Sequence, residues 1–256
     1  MYNNENNKMI HIIGKDIIWV HSVIYPAILQ ACNHKECYPN KILVHGFILD
    51  KDGKKMSKSL NNVISNDYIL NKYPIEAIRF YFITTIILGQ DLKFNEDVLI
   101  ATFNNVLLKS FGNLFQRMYK IILSIEEELN NEIILKHDEI ANIKISFNDT
   151  IKNNFLTNFN FSYYNDILNE QIFDCNKIIT EKEPWKLNNQ GKLIVMFNIL
   201  VKFNISMCLM FPIIPNKIIE LATYIGWENK LDLDSNIILK IKDPNIKVNP
   251  FTYIKK

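Results

Sequence analysis

The chain has 256 residues, 48% of them hydrophobic, and a formal net charge of +2 at pH 7. That is enough apolar material for one large or two modest domains with a proper core. The near-neutral balance excludes a globally basic coat, so any nucleic-acid surface has to be local.

Met1 to Lys8 is polar and Asn-rich, with neither a secretory leader nor an Arg-rich amphipathic helix. With four cysteines in the chain, a reducing, cytoplasmic location is expected. The apolar run Met9 to Ile13 predicts a short strand, Gly14 a turn, and the residues from Lys15 a helix. Nucleotide-binding α/β units are built in this order. Ile17, His21 and Tyr25 are four apart and share one helical face. Such a face is either core packing with a satisfied histidine or the wall of a small pocket. A thioether would suit that pocket, because sulfur favours an aromatic neighbour such as Tyr25. Asp16, at the helix start, is placed to bond vicinal ribose hydroxyls. Cys32-Asn33-His34-Lys35-Glu36-Cys37 offers three metal ligands without a fourth, so no zinc and no other metal site is expected.

Ile42 to Leu49 reads as an apolar strand containing the step His45-Gly46, and Asp50-Lys51-Asp52-Gly53-Lys54 as a hairpin turn. Behind the turn comes Lys55-Met56-Ser57-Lys58-Ser59. Two ammonium groups three residues apart, with hydroxyls between them, make either a solvated basic turn or a mobile clamp for a polyphosphate.

Beyond this loop the pattern is helical. Asn66 and Asp67 read as caps that open a helix, and Pro74 fits the first turn of the next one. Phe94 to Val98 leads into a further domain. Phe103 to Ile122 predicts an amphipathic helix: Asn105, Lys109, Asn113, Arg117 and Lys120 on one face, Val106, Leu107, Phe111, Leu114, Phe115 and Met118 on the other. A polar face is solvated by default. Yet the chain has only two arginines, Arg79 and Arg117. Where every other fixed cation is lysine, an arginine points to a need for its planar fork. In Glu183-Pro184-Trp185-Lys186 the indole either caps a helix core or stacks on an unpaired base. Leu193 to Pro215 is the most apolar stretch. Asn198, Lys202 and Ser206 recur there every four residues, with Asn204 beside them, which predicts a bundle helix with one wet face and no membrane span. The tail after Leu231 reads as short strand or irregular structure. The abundance of Asn, Ile and Lys is compositional bias.

Lys55 to Ser59 match the signature loop of class I aminoacyl-tRNA synthetases letter for letter. Gly14-Lys15-Asp16-Ile17, followed by His21 and Tyr25-Pro26-Ala27, resembles a segment of the methionyl-tRNA synthetases. Asn113-Leu114-Phe115-Gln116-Arg117 resembles that family's Asn-x-x-x-Arg step and Pro184-Trp185 its Pro-Trp step. The resemblance runs over roughly residues 9 to 230. It implies a fold of α/β plus all-α class: the second half of a Rossmann-type catalytic domain at 1–64, a stem-contact helical connector at 65–100, an α-helical anticodon-binding bundle at 101–230, and a tail at 231–256.

The resemblance further implies a methionine–tRNA ligase that uses ATP with Mg2+ and charges tRNA-Met. Lys55 and Lys58 would be catalytic, with Lys58 the stronger stabiliser of the transition state. Asp16, His45, Gly46 and Ser57 would join them in binding ATP. Ile17, His21 and Tyr25 would hold methionine. Asn113, Arg117 and Trp185 would read the anticodon. The family's His-x-Gly-His half is missing: His11-Ile12-Ile13-Gly14 has the wrong spacing and no second histidine follows. The zinc-bearing insertion is missing too. The chain therefore resembles the C-terminal portion of such an enzyme: a fragment, a truncated product, or one half of a split enzyme whose partner carries the N-terminal half. The alternative is a non-catalytic tRNA-anticodon-binding module.

Overall fold

Two isoleucine- and valine-rich runs, each ending at a glycine step, set the first strands. In the computed structural model, which describes residues 8–129, 133–135, 159, 161–224, 237–239, 251 and 254–255, β1 (Ile10–Gly14) pairs in parallel with β2 (Lys41–His45). Ile10 lies opposite Lys41 and Gly14 opposite His45. A parallel pair needs a crossover. Here it is a 3-10 turn at Lys15–Ile17, a π turn at Val20–Ile24 and α1 (Tyr25–Ala31), with Pro26 in the first turn of α1, where a missing N–H is tolerated.

The chain divides into two compact units, Met1–Tyr68 with Thr85–Asn95, and Ile69–Thr84 with Glu96–Lys256. In the first unit the apolar run expected as one strand breaks at Gly46. Its remainder, β3 (Ile48–Leu49), pairs in parallel with β4 (Leu92–Lys93). The reason is a close crossing: a Cβ on Gly46 would lie 2.1 Å from the Gln90 carbonyl oxygen and 2.6 Å from the Asp91 nitrogen. Only glycine lets the returning backbone pass. Gly89 then donates to the Val44 carbonyl, Leu92 to that of Phe47 and Phe94 to that of Leu49, each at 2.9 Å. Among the described residues of this unit, Ile13 and Phe94 are the buried apolar side chains, while Ile10, Ile12, Trp19, Val23 and Ile28 are exposed.

The lysine loop is tied at its base by two polar side chains. The turn closes by Asp50 N–H donating to the Lys54 carbonyl at 2.9 Å, with Gly53 supplying the left-handed residue at φ 81°. A single bridge, Leu49 to Lys55, follows in place of a full return strand. Asp50 is 9% exposed. Its Oδ1 accepts the N–H groups of Asp52 (3.0 Å) and Lys54 (2.8 Å), and its Oδ2 accepts from Asn62 Nδ2 (2.7 Å). Asn62 also accepts the Ser57 N–H at 2.9 Å and donates to the Lys55 carbonyl at 3.3 Å. The Asn62 bond, followed by the Lys54 N–H, holds the Asp50 carboxyl below its usual range.

The second unit is helical. α2 (Asn66–Lys72) leads into it, capped by Ser65, whose Oγ accepts the Tyr68 N–H at 3.1 Å. The cap is one residue earlier than Asn66 and Asp67 suggest. α3 (Ile75–Thr85) follows Pro74 and buries Ala77, Ile78, Phe80 and Tyr81. Behind α4 (Glu96–Thr102), the amphipathic stretch expected at 103–122 spans a π-wound segment Phe103–Gly112 and the first part of α5 (Asn113–Leu129). The wider π winding aligns Phe103, Leu107 and Phe111, four apart and all buried. α6 (Phe161–Lys182), α7 (Asn189–Met210) and α8 (Pro215–Tyr224) complete the bundle. β5 (Ile133–Leu135) and β6 (Ile237–Leu239) pair antiparallel, which puts a strand in the tail.

The core of this unit is aromatic. Phe111 stacks on Phe203 at 5.3 Å and Phe115 lies 5.9 Å from it, all three fully buried. Buried Asn104 donates to the Ile254 carbonyl (2.9 Å) and accepts the Ile254 N–H (3.1 Å), so Phe251 packs edge-on to Phe103 at 5.8 Å. Arg79 donates its Nε to the Ile213 carbonyl and its Nη2 to that of Pro212 at 2.8 Å, just past the end of α7. The polar stripe of α7 is not wet along its length. Asn198 is exposed, Lys202 pairs with Asp174 of α6 at 2.7 Å, and Asn204 and Ser206 are buried. Glu96–Ser124 and Gln190–Met210 are long and apolar enough to cross a membrane, and half of the first and most of the second is buried in the fold. Packing of helix on helix accounts for that apolarity.

Two outcomes follow for stability. Phe111→Ala should lower the unfolding free energy by about 3–5 kcal/mol, read from urea unfolding followed by circular dichroism. Asp50→Asn turns an amide N–H toward the N–H of Asn62, so trypsin should cut between Lys51 and Lys58 several-fold faster. Mass spectrometry of a digestion time course measures this, and an unchanged rate would mean that the loop is held by something else.

Candidate functional site

The parallel register of β1 and β2 brings their carboxyl ends side by side, where ligands bind in open α/β sheets. Asp16 stands two residues past β1. Its side chain folds back over Gly14: a Cβ there would lie 2.6 Å from Asp16 Oδ1 and 3.7 Å from the His45 ring. Gly14 thus lets the Asp16 carboxylate and the His45 imidazole share one edge. His45 Nδ1 lies 2.9 Å from the Gly46 carbonyl. A carbonyl only accepts, so Nδ1 carries the proton and Nε2 is left as an acceptor. The next element is fastened by Asp91, which accepts the Phe47 N–H at 2.8 Å and the Lys15 ammonium at 2.7 Å. The Lys15 bond, then the Phe47 N–H, holds the Asp91 carboxyl below its usual range.

The lysine loop follows. Lys55 Nζ sits 4.2 Å from the centre of the Phe47 ring, which Lys15 Nζ also approaches, at 4.8 Å. Lys58 opens the short 3-10 turn Lys58–Leu60 and is exposed; among the described residues it has no ion pair. Ser57 caps this turn, its Oγ accepting the Leu60 N–H at 3.3 Å and lying 3.1 Å from Ser59 Oγ. Of the expected phosphate ligands, Lys58 is free for an anion, Lys55 is parked on an aromatic face, and the Ser57 hydroxyl is engaged locally.

The expected apolar-pocket residues are brought together in part. His21 and Tyr25 have ring centres 6.4 Å apart. Ile17 is exposed on the 3-10 turn, because the stretch changes winding from 3-10 to π to α and does not keep one helical face. Their neighbour is His11, which no motif announces; only alternation along β1 puts it on the face of buried Ile13. Its ring lies 5.0 Å from His21 and 5.3 Å from Tyr25. At Cys32 to Cys37, His34 is paired with Glu36 at 2.9 Å and both thiols are free. Among the described residues no three His, Cys, Asp or Glu side chains are grouped to hold a metal ion.

The helical unit holds a cavity of about 390 Å³ lined by Lys109, Ser110, Asn113, Gln116, Arg117, Lys120 and Asn176. The polar face expected from the sequence is its wall. Arg117 is pinned to α6, donating to Asn176 Oδ1 at 3.0 Å and to Thr180 Oγ1 at 3.1 Å. Two further lysines make the hollow basic, which suits an anionic or base-edge ligand. Trp185 does not line it. Its indole is 57% exposed on the turn Pro184–Lys186, anchored by buried Pro184 after Glu183 in a left-handed conformation (φ 42°). Asp50 had a local signal, an Asp just ahead of an Asp-Gly turn. Asp91 and Asn176 had none, since each acts on residues far away in the chain or on another element, and Asn62 had none, since it ties a loop without regular winding.

A family model described as tRNA synthetases class I (M) matches residues 1–119. The methionine–tRNA ligase of Fusobacterium nucleatum is 33% identical over 76% of this chain and 31% of its own length. That of Mycoplasmopsis pulmonis is 30% identical over 87% of this chain and 44% of its own. That of Ureaplasma parvum is 29% identical over 72% and 35%. The chain thus spans less than half the length of these relatives. The fold is shared with the methionyl-tRNA synthetase of Mycobacterium tuberculosis. The complex of that protein with methionyl-adenylate superposes with a TM-score of 0.72 at 20% identity, covering 92% of this chain and 48% of that one. Its free state gives 0.73 at 18%, covering 97% and 50%. The family model, the relatives and the shared fold are all those of class I methionyl-tRNA synthetases, and that is the family this chain is similar to.

Proposed function

We propose that the chain is the C-terminal portion of a methionine–tRNA ligase. Residues 1–64 would be the second half of the nucleotide-binding catalytic domain and 65–100 the connector that contacts the tRNA stem. The anticodon-binding bundle would be 101–230, with the tail at 231–256, all working in the cytoplasm. The observation that carries this reading is the shared edge of β1 and β2, where Asp16 and His45 meet in the unit that also bears the lysine loop.

Each residue then has a task. Asp16 accepts the ribose hydroxyls of ATP, and His45 and Gly46 lie along its adenosine. Methionine packs against Ile17, His21 and Tyr25. Its carboxylate attacks the α-phosphate, pyrophosphate leaves, and the charge that builds up is met by Lys58, with Lys55 released from Phe47 and Ser57 beside it. Mg2+ would arrive with the nucleotide and add positive charge at its phosphates beside these lysines. A hydroxyl of the terminal ribose of tRNA then attacks the methionyl carbonyl of this mixed anhydride, and AMP leaves. Asn113 and Arg117 read base edges of the methionine anticodon in the basic hollow, and Trp185 offers a stacking face. The adenylate bound in the Mycobacterium tuberculosis protein supports the same order of chemistry.

A second reading has its own support. The parallel β1–β2 pair has exposed apolar neighbours, and sheets of this kind are ordinarily covered on both faces. On this reading these residues alone bind tRNA, and catalysis needs the His-x-Gly-His half as a covering partner. Methionine-dependent ATP–pyrophosphate exchange on the purified chain separates the two. Exchange by the chain alone would remove the second reading. With the N-terminal half supplied, Lys58→Ala should lower exchange by about 100- to 1,000-fold, and equal rates would remove Lys58 from catalysis. Trp185→Ala should weaken binding of tRNA bearing the methionine anticodon by about tenfold or more, measured by filter binding. Unchanged affinity would take Trp185 out of the site.

A further inference from the structure

His11 belongs to no part of the function described so far, yet it touches the histidine assigned to the methionine pocket. Its Nδ1 lies 3.1 Å from Nδ1 of His21. A hydrogen bond between two such nitrogens needs the proton on one and a lone pair on the other, so the two neutral rings must be in opposite tautomers. Tyr25 closes the cluster, its ring 5.3 Å from His11. With Nδ1 of His21 occupied, Nε2 is the nitrogen left for a ligand.

The chemistry of the ligand selects between the two arrangements. A thioether sulfur has no proton to give and acts only as a weak acceptor. It is matched by a His21 that keeps its proton on Nε2. That requires the bridging proton to belong to His11.

We propose that His11 is a positioning residue: its Nδ1–H donates to His21 Nδ1, fixes the proton of His21 on Nε2, and so turns a donor toward a ligand that can only accept. Which of the two rings holds the bridging proton rests on the methionine reading; that their tautomers are opposite rests on the contact alone. The lock also gives half-buried His21 a reason to favour sulfur over a methylene of similar size, since a donor covered by an alkyl chain loses water without gaining a partner.

The test is nitrogen-15 NMR of the side-chain imidazoles in the full 256-residue chain. With five histidines, single substitutions suffice for assignment. At about pH 8.5, above the ordinary imidazole range, the parent should show His11 protonated at Nδ1 and His21 at Nε2. His11→Phe keeps a ring in place without a donor and should leave His21 a mixture of tautomers. His11→Asn, whose amide donates from nearly the same position, should restore the single Nε2–H form. Overlaid amide spectra establish that both variants fold. A His21 with the same tautomer in parent and His11→Phe overturns the proposal, as does a parent His11 protonated at Nε2. Methionine added together with the N-terminal half provides a separate arm. If the tautomers follow His11 but methionine shifts neither ring while norleucine also fails to, the lock stands and the methionine reading falls.

Discussion

No side chain fits at position 46, and the first unit is organised around that fact. The backbone of Gln90 and Asp91 crosses there within contact distance, which ends β2 at His45 and lets β3 find β4 as its partner. The crossing also delivers the Asp91 carboxylate to the Phe47 N–H and to Lys15, one residue past β1. The carboxyl ends of two strands, the start of the crossover and the ring that receives Lys55 are therefore joined through one carboxylate. With few buried apolar side chains among the described residues of this unit, polar bonds of this kind take over the ordering that a core provides elsewhere. A larger residue at 46 would push the returning segment away and separate these parts together.

The helical unit is ordered in the opposite way, by aromatic packing, with a few polar groups marking specific joins. Both arginines of the chain are at such joins. Arg79 spreads its fork over two carbonyls beyond α7, and Arg117 spreads its fork over an amide and a hydroxyl on α6. An ammonium lacks the two parallel donors that these pairs of acceptors require. The preference for arginine at just these two positions is thus explained by geometry, and at Arg117 the same geometry holds the guanidinium at the wall of the basic hollow.

Much of this was legible in the sequence where it depended on neighbours in the chain. The Asp-Gly turn, the strand before it, the polar face from Lys109 to Lys120 and the proline-started helices all follow local rules of turn, cap and period. Departures arose where distant chain decided the outcome. The run Ile42 to Leu49 has the composition of one strand, and a segment forty residues away breaks it. The stripe Asn198, Lys202, Ser206 has the spacing of a wet face, and α6 covers part of it with Asp174. Ile17 falls off the common face because the crossover mixes three helical windings, which composition does not reveal. His11, Asp91, Asn62 and Asn176 act through contacts that no periodicity announces.

Asn104 reaches Ile254 across 150 positions of sequence, and Arg79 reaches Ile213 across 134. Joins of that span set a sequence of events in time. Neighbouring helices are able to pair early, as soon as short loops close. The groove that receives Phe251 exists only once α4 and its π-wound continuation are seated, and the entropy of closing so long a loop has to be met before that contact returns anything. Assembly of the helical unit should therefore end with its tail. Until it does, Phe103 and Phe111 stand open to water or to another unfinished copy, and this interval is when aggregation competes most strongly with folding.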